Sequence, residues 1–299
     1  MKDTMAGLAT RQNTDRSLDL QRAIAVTHKR AQWVHTTALT VSLLVAALGL
    51  LARLEPKAIP AVSLVGALWT AIYAIALAPW AARYQRTSAT LQEMLDTSLF
   101  GQPWNRVLVG PPVPEELVSD LSSRYRDREE WVRDYYIVAV VPAPYDVLFC
   151  LEQNLAWGSR VRQRYGQLLA SVAGIWVLAG LVIGFATGVR VPALISAWLV
   201  PSLGLLLLCL DTYRTQLANT RERTRVRELV IGLTADQHGP RLTPGPEWVA
   251  LARQIQDVLF ILRRQQSRTP AWFFRRYHDR DKRAFEYRKR VLEERLGPP

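Results

Sequence analysis

Arginine and aromatic residues are interleaved in three places. Residues 124–136 read RYRDREEWVRDYY, residues 154–165 read NLAWGSRVRQRY, and residues 270–283 read PAWFFRRYHDRDKR. Aromatic faces stack on bases and guanidinium forks pair with phosphates, so such mixtures suit a nucleotide ligand. They also suit a solvated helix face, since Asp and Glu are interleaved as i,i+4 partners. Long nucleic acid fits poorly, because residues 83–165 carry 10 basic against 11 acidic side chains. The patterns of catalysis are missing: no Walker-type phosphate loop, dinucleotide glycine pattern, HExxH or GxSxG occurs. His28, His35, His238 and His278 are scattered without ligand spacing, and Cys150 and Cys209 form no metal pair. No enzyme chemistry, metal or cofactor is expected.

The elements that must position these segments are membrane helices. Four stretches carry no Asp, Glu, Lys or Arg: Ala31–Ala52, Ala58–Ala82, Gly166–Val189 and Val191–Leu210, of 22, 25, 24 and 20 residues. Each reaches the ~20 residues that a helix needs to cross ~30 Å of hydrocarbon. Arg53–Lys57 joins the first two and Arg190 alone joins the last two, so each pair forms a hairpin. The two tips hold three of the 38 basic residues. By the positive-inside rule the tips face outward, and the N-terminus, middle segment and tail share the cytoplasmic side. The N-terminal MKDTMAGLATRQNTDRSLDL lacks an apolar core, so no cleavable signal peptide is expected. Residues 211–299 supply +8 of the net charge of +12. That excess fits the topology alone, and it also fits anionic lipid headgroups or a nucleotide-like anion.

The expected architecture is all-α: an integral membrane protein with two transmembrane helical hairpins and long cytosolic extensions. Its parts are a cytosolic helix over 1–30, a hairpin over 31–82, a helical region over 83–165, a second hairpin over 166–210 and a helical tail over 211–299. Leu91, Leu95 and Leu99 carry the second span on to about Phe100, where GQPWN breaks it. Pro114, Glu115 and Glu116 start a helix that should bury Leu117, Leu121 and Tyr125. Pro144–Tyr165 reads as one helix running into the third span. In the tail, helices are expected over Thr212–Thr234 and Glu247–Gln266, with QHGPRLTPGP between them, and Trp248, Leu251, Ile255, Leu259 and Leu262 share a face of the second.

The spans hold small residues in place of ionisable ones. Gly180, Gly184 and Gly188 recur every four residues, as do Ser63, Ala67 and Ala71. Such spacing lets helix backbones approach closely, either within one bundle or across a seam between subunits. Transporters and proton pumps normally keep carboxylates, Lys or Arg inside the membrane, and no span here has one. Pro201 removes a backbone hydrogen bond in the fourth span, which makes it a static kink or a hinge.

Several phrases together resemble the SMODS-associating four-transmembrane effector family. They are RQNTDRSLDLQRAIAVTHKRAQ before the first span, LQEMLDTSLFGQPWNRVLVGPPVPEELV after the second, DYYIVAVVPAPYDVLFCLEQNLAWGSRVRQRY, and IQDVLFILRRQQSRTPAWFF followed by AFEYRKR. The chain departs from the family pattern twice. CLEQN lacks the arginine of the family's Cys-Gln-Arg, and Tyr135-Tyr136 stands where Trp-Tyr is usual. The resemblance implies a bacterial anti-phage effector of the inner membrane, encoded beside a cyclic oligonucleotide synthetase (a CBASS effector). It implies a cyclic di- or trinucleotide as activating ligand, a homo-oligomer, and permeabilisation of the lipid bilayer. Together with the arginine and aromatic mixture it points to Trp104, Asn105, Arg106, Trp131, Tyr135, Asn154, Trp157, Arg160 and Arg162 as ligand contacts. The rival expectation is a four-span scaffold or regulatory subunit whose tail recruits a partner protein. A lipid-modifying enzyme fits worst, for want of an acid–base or metal constellation.

Overall fold

A computed structural model of the protein describes residues 7–52, 54–235, 244–265 and 269–297. Those residues are mostly helical and contain no strand. The longer helices are α1 (Asp15–Leu51), α2 (Ile59–Ile72), α3 (Ala78–Phe100), α4 (Glu115–Ser123), α5 (Tyr145–Ala156), α6 (Ser159–Ala186), α7 (Val200–Ala235), α8 (Pro246–Gln265) and α9 (Ala271–Leu296). Four helical runs are long and apolar enough to cross a membrane. They also overshoot it. The 37 residues of α1 extend ~55 Å at ~1.5 Å per residue, so each such run spans the bilayer and continues into an extramembrane body.

In that body the expected face of α3 packs inward, with Leu91, Leu95 and Leu99 all buried. They meet Leu20 and Ile24 of α1, Leu148 and Leu151 of α5, Val226 and Val230 of α7, and Ile255 and Leu259 of α8 in one core. Parts of every long run therefore share a single apolar interior at one end of the bundle.

Three expectations need correction. Pro114 stands before the first turn of α4 as its N-cap. Leu121 and Tyr125 are buried as expected, but Val118 takes the place of Leu117, which is 41% exposed. The single helix expected over Pro144–Tyr165 is two, α5 and α6, parted at Trp157 and Gly158. Gly158 has φ +69°, a conformation that costs glycine little and ends helices. The helix expected over Thr212–Thr234 is the far end of α7, continuous with the fourth span. The α8 expectation stands over Pro246–Gln265, whereas most of QHGPRLTPGP lies outside the described residues. Helix α9, dense in charge, went unforeseen.

Inside the membrane the fourth span is the most enclosed and the second the least. Pro201 sits at the meeting point of three spans. A Cβ on Gly49 would lie 2.7 Å from the Pro201 Cβ, and one on Gly66 would lie 2.7 Å from its Cα. Before this proline the helix widens into a π turn over Ile195–Leu199, with the Val200 N–H donating to the Ile195 carbonyl. Pro201 has no N–H to give, so the Ser196 carbonyl lacks a helical donor, and the Ser63 hydroxyl donates to it at 2.6 Å. Lipid offers no water for an orphan carbonyl, so a neighbouring helix must satisfy it. A second π turn, Tyr73–Leu77, precedes Pro79 in the same way. Other spans are tied by Trp69 Nε1 donating to Ser42 and Trp176 Nε1 donating to Ser202, both at 2.8 Å.

Gly180 and Gly184 face the fourth span of their own hairpin. Trp198, stacked on Trp176 at 4.9 Å, covers Gly180, and Leu194 covers Gly184. Gly188 does not continue this face, since it turns the chain at φ +59° with nothing within 4 Å of a built Cβ.

Gly66→Ala should lower the thermal midpoint of the purified protein in detergent. The added methyl meets Pro201 backbone that cannot rotate away, and overpacking typically costs ~1–3 kcal/mol. Gly174→Ala, which meets nothing within 4 Å, should leave the midpoint unchanged or raise it. Equal midpoints for the two variants would remove the Gly66–Pro201 contact from the packing account.

Candidate functional site

Two carboxylates on the apolar face of α3 organise the body. Glu93 and Asp96 are 0% and 1% exposed. Burying a carboxylate requires partners for its charge and its lone pairs. For Asp96 these are Arg263 Nη1 at 2.7 Å, Gln256 Nε2 at 3.0 Å and the Tyr136 hydroxyl. For Glu93 they are Arg253 and, at 2.9 Å, the same Gln256 amide. Arg253 also donates to Asp257 at 3.0 Å and to the Pro103 carbonyl at 3.1 Å. Burial pushes the Glu93 carboxyl above its usual range, with Arg253 and Gln256 pulling against it. Burial also opposes the charge on Arg263, yet Asp96 and the two tyrosines beside it hold the guanidinium above its ordinary value.

The network gathers residues from all four of the sequence blocks quoted above. Gln12 clamps the backbone of Tyr136, donating to its carbonyl at 3.3 Å and accepting its N–H at 2.8 Å. Asn13 and Asp134 pair in the same loop at 2.7 Å. Asn154 on α5 donates to the Tyr136 hydroxyl at 2.6 Å, and its carbonyl accepts from Arg223 of α7 at 2.7 Å. A third buried carboxylate, Glu152, accepts from Arg288 of α9 at 2.7 Å and Arg227 of α7 at 3.2 Å.

Against this geometry the nine expected ligand contacts separate. Trp104 donates to the Gly110 carbonyl at 2.8 Å. Asn105 caps the turn that follows it and donates to Asp257 at 3.0 Å. With Asn154 these residues hold the body together, and their polar atoms are engaged internally. Trp157 stacks on Phe285 of α9 at 5.8 Å. Arg106 is exposed and lines, with Trp104, a shallow cavity of about 430 Å³. Trp131, Tyr135 and Arg160 are exposed.

Arg162 differs from the rest. It lies in the first turn of α6, half-buried, and donates to the Trp157 carbonyl at 2.8 Å. Burial lowers its guanidinium to about 10, Tyr135 opposes that, and the nearby Arg263 charge adds to it. It remains cationic at neutral pH. Among the described contacts it meets no carboxylate. The structure thus brings Tyr135, Trp157 and Arg162 beside Arg263, a residue that sequence reasoning missed. Its signal was present, since Gln256 and Arg263 fall on the apolar face of α8 and Glu93 and Asp96 on that of α3. Among the described residues no group of three or more His, Cys, Asp or Glu is placed to hold a metal.

An all-α body locked to four spanning helices defines a multi-pass membrane protein. Residues 7–292 match the SMODS-associating 4TM effector domain, and the chain belongs to that family. It is 22% identical over 273 residues to a protein of Bacillus cereus (strain VD146) named "Probable CBASS effector molecule IK1_05631", covering 88% of this chain and 90% of that one. No solved structure matches it.

Arg263→Met should strongly destabilise the purified protein, because it leaves the buried Asp96 carboxylate without its cation. The loss expected for breaking such a pair is ~3–5 kcal/mol. Arg160→Met, at an exposed position, should stay within ~0.5 kcal/mol of the parent. Thermal or urea melts in one detergent would show the contrast, and equal stability would contradict a structural role for the pair.

Proposed function

We propose that the protein is a membrane effector of a cyclic-oligonucleotide anti-phage system. On its cytosolic face it takes up a cyclic di- or trinucleotide, and as a homo-oligomer in the bacterial inner membrane it then permeabilises the bilayer. The family and the name of the Bacillus relative support the defence setting. The observation that carries the ligand site is Arg162, a half-buried cation beside Tyr135 and Arg263 with no described carboxylate partner. A phosphate there would meet the Arg162 guanidinium, with the Arg263 charge held behind it on Asp96, and a base would find the exposed Tyr135 ring and the indole of Trp157. Arg160, two residues before Arg162 on the same first turn, adds a third cation.

The position of that cation links binding to the membrane. Arg162 starts the helix that becomes the third span, and Gly158 gives this helix a pivot independent of α5. A ligand that pulls Arg162 against the fixed Asp96 network therefore turns α6 as a rigid rod. The rod bears on Trp198 and so on the fourth span, around which the others pack. Moving such an equilibrium from 1:99 to 99:1 needs ~5.5 kcal/mol of differential affinity. A few charge-assisted phosphate contacts, each ~1.5–3 kcal/mol, cover that requirement.

Dye-loaded liposomes holding the protein should leak only on adding one member of a panel of cyclic di- and trinucleotides. Arg160→Ala with Arg162→Ala should weaken binding in calorimetry by roughly 10- to 100-fold for each guanidinium that truly holds a phosphate. Absence of binding by every member would remove the sensor role, and undiminished binding by the double variant would move the site elsewhere.

The topology has its own test. With 35 of 38 basic residues off the hairpin tips, the tips should face the periplasm. Cysteines placed at Lys57 and Arg190 should react with an impermeant thiol reagent in intact cells. Reaction at Arg128 in their place would invert the orientation.

A further inference from the structure

A second charged feature lies where the first two spans enter the extramembrane body. It is an open cleft of about 470 Å³. Its basic wall is Lys29 and Arg30 of α1 with Arg124 and Arg126 from the segment after α4, and Asp127 is the only carboxylate that lines it. Lys29 reaches Asp127 at 3.3 Å, and Arg124 is paired with Asp120 at 2.8 Å. Arg30 lies over the Tyr84 ring at 6.0 Å. Arg126 donates to the Ser123 and Tyr125 carbonyls at 2.6 and 2.9 Å. Among the described contacts neither of these two guanidiniums meets a carboxylate, so the cleft keeps an excess of positive charge.

The opposite wall is aromatic and fixes the depth. Trp33 is the third residue of the charge-free stretch 31–52, and Trp80 is the third from the end of 58–82. The two spans are antiparallel, so both indoles stand at one level, just inside the end of the apolar slab. They are 63% and 42% exposed, and Tyr84 packs against Trp80 at 5.6 Å. Indoles at that level mark the headgroup zone of a bilayer. Basic pockets beside spanning helices bind lipid phosphates there.

We propose that this cleft holds the phosphodiester headgroup of an anionic phospholipid from the adjoining leaflet. The phosphate lies on Arg30 and Arg126, and the glycerol rests against Trp80 and Tyr84. A cyclic nucleotide shares the phosphodiester chemistry, but here its bases would be driven into the level of the acyl chains. The site is independent of the Arg162 ligand site and stands or falls separately from it.

Native mass spectrometry of the full-length protein, with phosphatidylglycerol and phosphatidylcholine in equal amounts, tests this. The protein should retain phosphatidylglycerol at least tenfold over phosphatidylcholine. Arg30→Gln with Arg126→Gln should abolish that preference, whereas the charge-matched pair Arg280→Gln with Arg283→Gln, exposed on α9, should keep it. A preference that survives in the first pair, or disappears equally in the second, overturns the site. Displacement of the bound lipid by a cyclic dinucleotide overturns the lipid assignment. Should the first pair fail to fold, a phosphatidylglycerol with a photoreactive headgroup decides on the unmodified protein. Crosslinks within residues 80–84 or 124–127 support the site, and crosslinks confined to other segments exclude it.

Discussion

Everything in the extramembrane body depends on pairing two buried carboxyl groups, Glu93 and Asp96. Desolvating a carboxylate costs several kcal/mol, and only close, complete pairing offsets that. Here the partners come from far along the chain: Tyr136 and Asn154 from the middle, Gln256 and Arg263 from the tail. Satisfying one carboxylate thus brings three segments to the end of the second span. Gln12 then fastens the N-terminal segment to the same loop. A network like this has one satisfactory arrangement and many costly ones, which favours a unique assembly over a loosely packed bundle.

The consequence reaches the membrane because the helices do not stop at its surface. Runs of 37 to 45 residues carry the geometry of the body into the spans without a flexible linker, with one exception. At Trp157–Gly158 the run breaks, and α6 starts afresh after α5. Deeper in, the fourth span is built with two irregularities, a π turn and a proline, that are held by contacts from its neighbours through Gly49, Gly66 and Ser63. Switching proteins place such irregular backbone at elements that move between two packings. A stiff body, one helix break and one irregular central span are the parts a ligand-operated membrane protein requires.

Much of this was legible in the sequence, and the failures have physical reasons. Uncharged stretches of 20 to 25 residues identify the spans because lipid tolerates little else. The leucines of α3 and the apolar stripe of α8 follow from helical period. On α4, Leu117 was misassigned because Leu117 and Val118 stand four and three residues before Leu121, and helical period alone does not choose between them. The break at Gly158 was missed because a lone glycine inside an otherwise helical pattern is ambiguous. At the candidate site the arginines and aromatics were visible in the sequence, whereas their pairing was not. Asn105 and Asn154 look like ligand groups until Asp257 and Tyr136 are brought in from 152 and 18 residues away, and Trp104 until the Gly110 carbonyl six residues on accepts from it. Ionisable residues on the apolar faces of two different helices were the available sign of a buried pair.

The central claim is that binding beside Arg162 rotates the third-span helix against a body fixed by Asp96. Electron-spin distance measurement addresses it directly, with labels on the exposed Glu116 of the body and the exposed Phe185 at the far end of α6. The native Cys150 and Cys209 are buried, which favours labelling at the introduced sites. In liposomes, the activating cyclic nucleotide should shift the Glu116–Phe185 distance distribution to a new maximum, and the Arg162→Ala protein should stay at the unliganded one. A distribution that is unchanged by saturating ligand, in protein that nonetheless leaks, would contradict the account.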